Sequence, residues 1–370
     1  MDQGKIIVGI TQGDVNGVGY EVILKTLMDN RIYEMCTPIV YGSPKIAAYH
    51  RKALNIENFS LNIISKASEV NHKRANIINC NHDGVRVELG KSTEIAGQAA
   101  YEALERAVND LKSGVIDVLV TAPINKHNIQ SEEFGFPGHT EYLERKFSGS
   151  KSLMLMISDV MKVGVVAGHV PIVKVPEYIT KDRIFQKLKS LNQSLIEDFN
   201  IRKPKIAVFG LNPHAGDNGL LGKEEEEIII PAIEMAKNDG IIAIGPYPAD
   251  GFFGSNNFKK FDAILAMFHD QGLAPFKALS FSDGINFTAG LPVIRTSPSH
   301  GTAFEIAGLN EASENSFRQS LYLGIDAYKN RLSFAELNAN PLKSKKDALI
   351  SAENNDDNDI LKLKEEEDSK

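Results

Sequence analysis

Short apolar runs alternate with longer amphipathic segments along most of this chain, and that alternation constrains the fold more than any single motif. Ile6 to Ile10 passes through a glycine-rich turn into a helical stretch near Glu21 to Met28, and Ile39 to Tyr41 is followed by another near Pro44 to Leu54. Ala96 to Lys112 is a run of good helix formers with Ala100, Leu104, Ala107, Val108 and Leu111 on one face, feeding the strand Val115 to Thr121. Strands separated by helices predict an α/β fold with a largely parallel sheet, because a parallel crossover needs a helix to return the chain.

Three of these apolar runs end on or near a histidine. Val163 to Gly168 leads to His169, Ile206 to Leu211 leads through Asn212-Pro213 to His214, and Ala263 to Phe268 leads to His269. In an open parallel sheet the carboxyl ends of the strands line the ligand crevice, so imidazoles repeated there can converge on one point. A lone histidine is more often a hydrogen-bonded structural residue than a ligand; shared placement is what raises these three. Of the others, His50, His72 and His82 lie in helical or surface-like polar contexts. Three imidazoles with an open position suit a divalent ion acting as a Lewis acid, Zn²⁺ first, with Mg²⁺ or Co²⁺ as alternatives. Asp250 and Asp270 lie in comparable loops and are placed to complete the shell or orient the rings.

At 370 residues and 42% hydrophobic content the chain exceeds what one core usually holds, which favours two lobes with a cleft between them. The expected division pairs residues 1–130 with 240–340 in one lobe, sets 131–239 as the other, which carries two of the histidines and the dimer contact, and leaves 341–370 as an acidic tail without chemistry. The net charge is −7, of which the last twenty residues contribute −5, so the body is near neutral. No basic stripe favours nucleic acid. No apolar run approaches the roughly 20 residues of a membrane helix, and the first strand starts too early to leave room for a signal peptide. Two cysteines, Cys36 and Cys80, fit neither a disulfide framework nor a CxxC metal site, so the cytoplasm is the expected compartment.

A second cluster reads as an anion receptor. Lys277 lies eight residues beyond His269, Asn286 sits before Phe287-Thr288-Ala289-Gly290, and Arg295 ends the run Leu291 to Ile294. Lysine offers a point charge and arginine a bidentate fork, which together suit phosphate or carboxylate, although scattered surface cations would look the same. Gly138-His139-Thr140-Glu141 marks a loop-to-helix junction, where free amides attract anions or threonine merely caps the helix. The glycines at 13, 17 and 19 match neither dinucleotide nor P-loop spacing. Gly216, Gly219 and Gly222 precede Lys223 and four glutamates, a run read as structural because acids suit a helix's first turn.

Taken in order, several blocks resemble the 4-hydroxythreonine-4-phosphate dehydrogenases of pyridoxal phosphate biosynthesis. They are Thr11-Gln12-Gly13-Asp14 with Gly17-Val18-Gly19, Thr121-Ala122-Pro123-Ile124-Asn125-Lys126, Gly138-His139-Thr140-Glu141, Leu211 to Gly216, Pro246 to Asp250, His269-Asp270-Gln271-Gly272, and Arg295-Thr296-Ser297 through His300-Gly301-Thr302-Ala303. The resemblance runs from about Lys5 to Asn330. It implies a two-lobed α/β fold like the isocitrate and isopropylmalate dehydrogenases, with a largely parallel central sheet and an interlobe cleft. A homodimer is implied, with the active site between subunits and metal ligands His169, His214 and His269 drawn from both chains. Substrate contacts fall on His139, Thr140, Lys277, Asn286 and Arg295, and Asp250 and Lys277 are the candidate catalytic groups. His300, Gly301, Thr302 and Ala303 match a loop that binds NAD or NADP without a Rossmann fingerprint. The implied reaction oxidises 4-(phosphooxy)-L-threonine to 2-amino-3-oxo-4-phosphobutanoate, a β-keto acid that loses CO₂ to give 3-amino-2-oxopropyl phosphate.

Some positions depart from that pattern: Gln12, Val15 and Asn16 in the first turn, Tyr20, Gly251, and Ser299 before His300. They leave room for a related substrate, threonate or erythronate 4-phosphate. A metal-dependent hydrolase, needing no NAD, and a silent phosphate-binding protein are the readings from other classes.

Overall fold

The computed structural model describes residues 4–81, 84–131, 134–147, 152–280 and 283–340. His82 and the expected acidic tail lie outside the described residues. Residues up to Asn330 form one compact unit, and a second unit begins at Arg331.

Among the described residues, twelve strands make a single sheet. They are β1 (Ile7–Thr11), β2 (Thr37–Gly42), β3 (Asn62–Ile64), β4 (Asn76–Asn79), β5 (Val118–Thr121), β6 (Leu153–Ile157), β7 (Lys162–Ala167), β8 (Lys205–Phe209), β9 (Ile242–Tyr247), β10 (Ala263–Phe268), β11 (Ile285–Ala289) and β12 (Ile294–Pro298). Their order across the sheet is β3-β4-β2-β1-β5-β12-β11-β6-β7-β10-β8-β9. Two parallel blocks, one ending at β12 and one beginning at β7, are joined by antiparallel pairings of β11 with β12 and β6, and of β6 with β7. The blocks therefore run in opposite directions and meet at β11 and β6. The expected boundary at residue 240 does not coincide with a break in the sheet, since β9 and β10 pair with β8 and β7.

The central strands are buried on both faces, which is why they read as apolar runs without alternation. Val8, Ile10, Val118, Val120, Ile206 and Val208 are all inaccessible, and each such side chain contributes about 1.5–3 kcal/mol by leaving water. The helix Glu94–Lys112 covers the first block. Thr93 caps it by accepting the Ala96 N–H, and the face containing Ala100, Leu104, Ala107, Val108 and Leu111 is buried as its periodicity requires. Gly97 interrupts the helix formers because a Cβ there would lie 1.9 Å from the Asn128 carbonyl. That close approach packs the helix directly against the loop after β5, which carries part of the site described next.

Because β7, β10 and β8 are adjacent and parallel, their carboxyl ends sit side by side. Phe268 pairs with Ala167, so His269 and His169 emerge next to one another. His214 follows β8 by a longer connection and emerges farther from them.

Candidate active site

A cavity of about 310 Å³ opens where the two strand blocks meet. Its walls come from the end of β5, the start of the helix His139–Lys146, the centres of β6 and β11, and the ends of β7, β10 and β12. His139, Thr140, His169, His269, Lys277, Asn286, Arg295, His300 and Gly301, nine of the residues singled out by sequence, line it together.

Arg295 dominates its electrostatics. The side chain is 2% exposed, and its Nε and Nη2 donate to the Thr121 hydroxyl at 3.2 and 2.6 Å while Nη1 donates to the Thr288 hydroxyl at 3.2 Å. Among the described residues no carboxylate lies within ion-pair distance of it. Burial lowers its pKa to about 10, with the charge of Glu141 pulling the other way, so the guanidinium stays charged at neutral pH. Lys126 and Lys277 face the same space, where Glu141 is the one carboxylate among the lining side chains. Three cations against one acid make the cavity a receptor for anions, since a buried charge without a partner is costly.

Three polar atoms in this region are buried without a protein partner: His139 Nε2, Asn286 Oδ1 and His300 Nε2. Burial, reinforced by the positive charges of Arg295 and Lys126, drives the His139 ring far below its ordinary pKa, so it is neutral at neutral pH. Burial also lowers the His300 pKa, against the opposing effect of its bond to Gly301. His300 Nδ1 lies 2.9 Å from the Gly301 carbonyl, which can only accept, so Nδ1 holds the proton and Nε2 is left as a bare acceptor. Gly138, with no side-chain bond, occupies the N-cap position, so Thr140 is free to face the cavity.

His169 and His269 are neighbours, with ring centroids 5.8 Å apart. Asp270 Oδ1 sits 2.7 Å from His269 Nδ1, and Glu141 Oε1 sits 3.7 Å from His169 Nδ1, an ion-pair separation. The His169 ring holds the Glu141 carboxyl below its usual range. Carboxylates behind imidazoles orient them and turn the other ring nitrogen outward, which is the donor arrangement a divalent cation uses. His214 does not join them: it is exposed and does not line the cavity. Among the described residues of one chain, no group of three or more His, Cys, Asp or Glu is placed to hold a metal. Asp250 is likewise exposed, in the first turn of the helix Ala249–Gly254 beyond the edge strand β9, and is not a lining residue.

The cofactor-loop candidates divide. His300 and Gly301 line the cavity, and the position of a Gly301 Cβ faces open space. Thr302 turns the other way: its carbonyl accepts the Val18 N–H at 3.0 Å and would lie 2.6 Å from a Cβ on Gly17. Ala303 follows in the left-handed region at φ 44°.

Sequence reasoning had not assigned roles to Thr121, Lys126, Glu141 or the methionines Met154 and Met156, all of which line the cavity. His50 lies in the helix Pro44–Ala53, in keeping with its helical context, and is 2% exposed there; it stacks on Tyr20 at 5.2 Å and holds the Val15 carbonyl at 2.8 Å. Tyr20 in turn donates to Gln12 Oε1, which also accepts the Ser43 N–H, while Gln12 Nε2 reaches Asn81 and the Ala99 carbonyl. Asn16 bonds the backbone at Glu88 and Lys91 and the Thr93 hydroxyl. The unusual first-turn residues thus form a mutually satisfied buried network and do not line the cavity. Of the departures, Ser299 does line it.

Residues 34–324 match the family model described as pyridoxal phosphate biosynthetic protein PdxA. A 4-hydroxythreonine-4-phosphate dehydrogenase of Bacteroides thetaiotaomicron is 56% identical over 365 residues, covering 98% of both chains, so that similarity extends into the acidic tail. A relative from Oceanobacillus iheyensis, named provisionally a D-threonate 4-phosphate dehydrogenase, is 39% identical over 326 residues, 87% of this chain and 98% of its own. The crystal structure of a 4-hydroxythreonine-4-phosphate dehydrogenase from Klebsiella pneumoniae superimposes with a TM-score of 0.77 at 31% identity, covering 89% of this chain and 99% of that one.

Proposed function

The chain belongs to the PdxA family of pyridoxal phosphate biosynthetic proteins, and we propose that it oxidises 4-(phosphooxy)-L-threonine at C3 with NAD or NADP and a divalent metal. The 2-amino-3-oxo-4-phosphobutanoate formed then loses CO₂ to give 3-amino-2-oxopropyl phosphate. The observation that carries this reading is the buried, carboxylate-free Arg295 sharing one small cavity with the His169–His269 pair.

Arg295 and Lys277 hold the anionic ends of the substrate, and Lys126 adds a third positive charge. His139, Thr140 and Asn286 offer polar atoms for its hydroxyl and amino groups, the neutral His139 ring being able to donate or accept. Once bound, the metal supplies Lewis acidity at the reacting oxygen and the nicotinamide supplies a hydride acceptor. His169 and His269 fit as two of the metal's donors, already backed by Glu141 and Asp270, and Zn²⁺ suits such imidazole donors. His300 Nε2 and the open Gly301 backbone fit polar groups of the dinucleotide.

His214, the third imidazole, and Asp250, the proton acceptor, lie outside the cavity of their own chain, so a homodimer in which a second copy completes the site accommodates both. In support, Ile172 and Val173, a few residues beyond His169, are 76% and 80% exposed, as apolar residues at a subunit contact would be in an isolated chain. Among the described residues no helix is long and apolar enough to cross a membrane.

Purified protein with 4-(phosphooxy)-L-threonine, NAD⁺ and Zn²⁺ or Co²⁺ should generate NADH, and chelation should abolish it. Threonate and erythronate 4-phosphates form the comparison, because Ser299 lines the cavity at a position where the family pattern differs. NADH from those alone would assign the chain to the related hydroxy acid.

A further inference from the structure

The loop after β8 is folded around one buried carboxylate. Glu225 is 2% exposed; its Oε1 accepts the N–H groups of Leu211 and Asn212 at 2.7 and 2.8 Å, and its Oε2 accepts the Asn212 side-chain amide at 3.0 Å. Between Asn212 and this acid the backbone takes a costly path. His214, Ala215, Asp217 and Asn218 all have positive φ, from 44° to 55°; the left-handed region costs a residue such as His214 or Ala215 about 1–2 kcal/mol, whereas Asp and Asn tolerate it better. Such a segment keeps its shape only if its surroundings impose it.

Glycines allow the acid to do so. A Cβ on Gly216 would fall 2.6 Å from Glu225 Oε2, and one on Gly210 would fall 3.0 Å from Oε1. The acid itself opens a π-helical turn, Glu225–Ile229, a rare widening of the helix that recurs at functional sites. A second tie comes from β10: Gln271 Nε2 donates to the Gly210 carbonyl and its Oε1 accepts the Met267 N–H, both at 2.7 Å, joining the ends of β8 and β10 two residues from His269.

We propose that Glu225 is a positioning residue for the metal centre, fixing the strained loop that presents His214, with Gln271 keeping that loop in step with the His269 strand. This rests on the reading of His214 as a metal ligand. A carboxylate that only stabilised the loop would affect melting and leave metal affinity alone.

The test uses the full-length protein, stripped of metal by chelation and titrated with Co²⁺, whose d–d absorption reports ligation. Loss of an outer-shell contact typically weakens a metal site about 10- to 100-fold, and that loss is expected for Glu225→Ala. Glu225→Gln should weaken binding less than Glu225→Ala, because one oxygen still serves both backbone N–H groups while the new amide nitrogen faces the Asn212 side-chain NH₂, which Glu224 Oε2 holds at 2.8 Å. Glu225→Asp, which keeps the charge but withdraws it by one methylene, should weaken binding too and replaces the alanine variant should that not fold. Wild-type Co²⁺ affinity in Glu225→Ala or Glu225→Asp alongside weakened His214→Ala overturns the positioning role. Wild-type affinity in His214→Ala overturns the metal reading beneath it.

Discussion

Replacing Arg295 with methionine separates the anion-receptor role from a structural one, because the two predict opposite results. Burial of the guanidinium lowers its pKa from the ordinary arginine value to about 10, so below pH 10 the folded state bears a penalty of about 3 kcal/mol that is relieved only as the pH rises above 10. The opposing charge of Glu141 is already contained in that value, and among the described residues no carboxylate pairs with the guanidinium; the three hydroxyl contacts to Thr121 and Thr288 return about 1 kcal/mol each. These nearly cancel. Arg295→Met should therefore leave ligand-free stability within about 1 kcal/mol of wild type in chemical unfolding, as replacement of buried charge by an apolar side chain often does. Substrate binding should suffer instead, by about 1.5–3 kcal/mol for a charge-assisted contact, or roughly 10- to 150-fold in KM. Inorganic phosphate at about 100 times its Kd should stabilise the wild type by about 2.7 kcal/mol and the variant much less. An unchanged KM together with undiminished phosphate stabilisation would refute the assignment. A loss of more than about 3 kcal/mol of stability at constant KM would make Arg295 a structural cation.

Other expectations address separate parts of the molecule. Asp270→Asn weakens the hydrogen bond that orients His269, and metal affinity should fall about 10- to 100-fold while phosphate-induced stabilisation persists; calorimetric titration with Zn²⁺ and thermal melts with phosphate distinguish the two. Tyr20→Phe removes the hydroxyl shared by Gln12 and Ser43, and should cost about 1–2 kcal/mol in chemical unfolding with kcat and KM unchanged, since Tyr20 is remote from the cavity lining. A shifted KM would show that the first-turn network reaches the substrate.

Much of the fold was readable because burial on both faces leaves its mark locally. Val115 to Thr121, observed from Val118, and Ala263 to Phe268 read as strands from apolar content alone, and the helix read over Ala96 to Lys112, observed from Glu94, announced its buried face by spacing. Of the nine cavity residues found by sequence, His139, Thr140 and His269 begin helices and His169, His300 and Gly301 follow strand ends, where linear position already implies exposure to the crevice; Lys277 lies in the last turn of its helix, and Asn286 and Arg295 are the second residues of their strands. What escaped depends on residues far apart in the chain. Thr121 acquires its role from Arg295, 174 positions away. His50 reads as a helix residue, but nothing in its own segment shows that Tyr20 and Val15 close over it. Glu225 looked like one of four helix-start acids, because nothing in its own segment reveals the Leu211–Asn212 amides that it satisfies. The reversal of strand direction at β6 and β11 was equally invisible, since pairing sense is set by partners and not by composition.

Anomalous diffraction at the zinc edge, from crystals grown with Zn²⁺ and inorganic phosphate, tests the central claim most directly. A zinc peak at the His169–His269 pair, with phosphate on Arg295 in the same cavity, is the predicted outcome. Zinc bound elsewhere, or phosphate bound away from Arg295 while that cavity stays free of both, would contradict it.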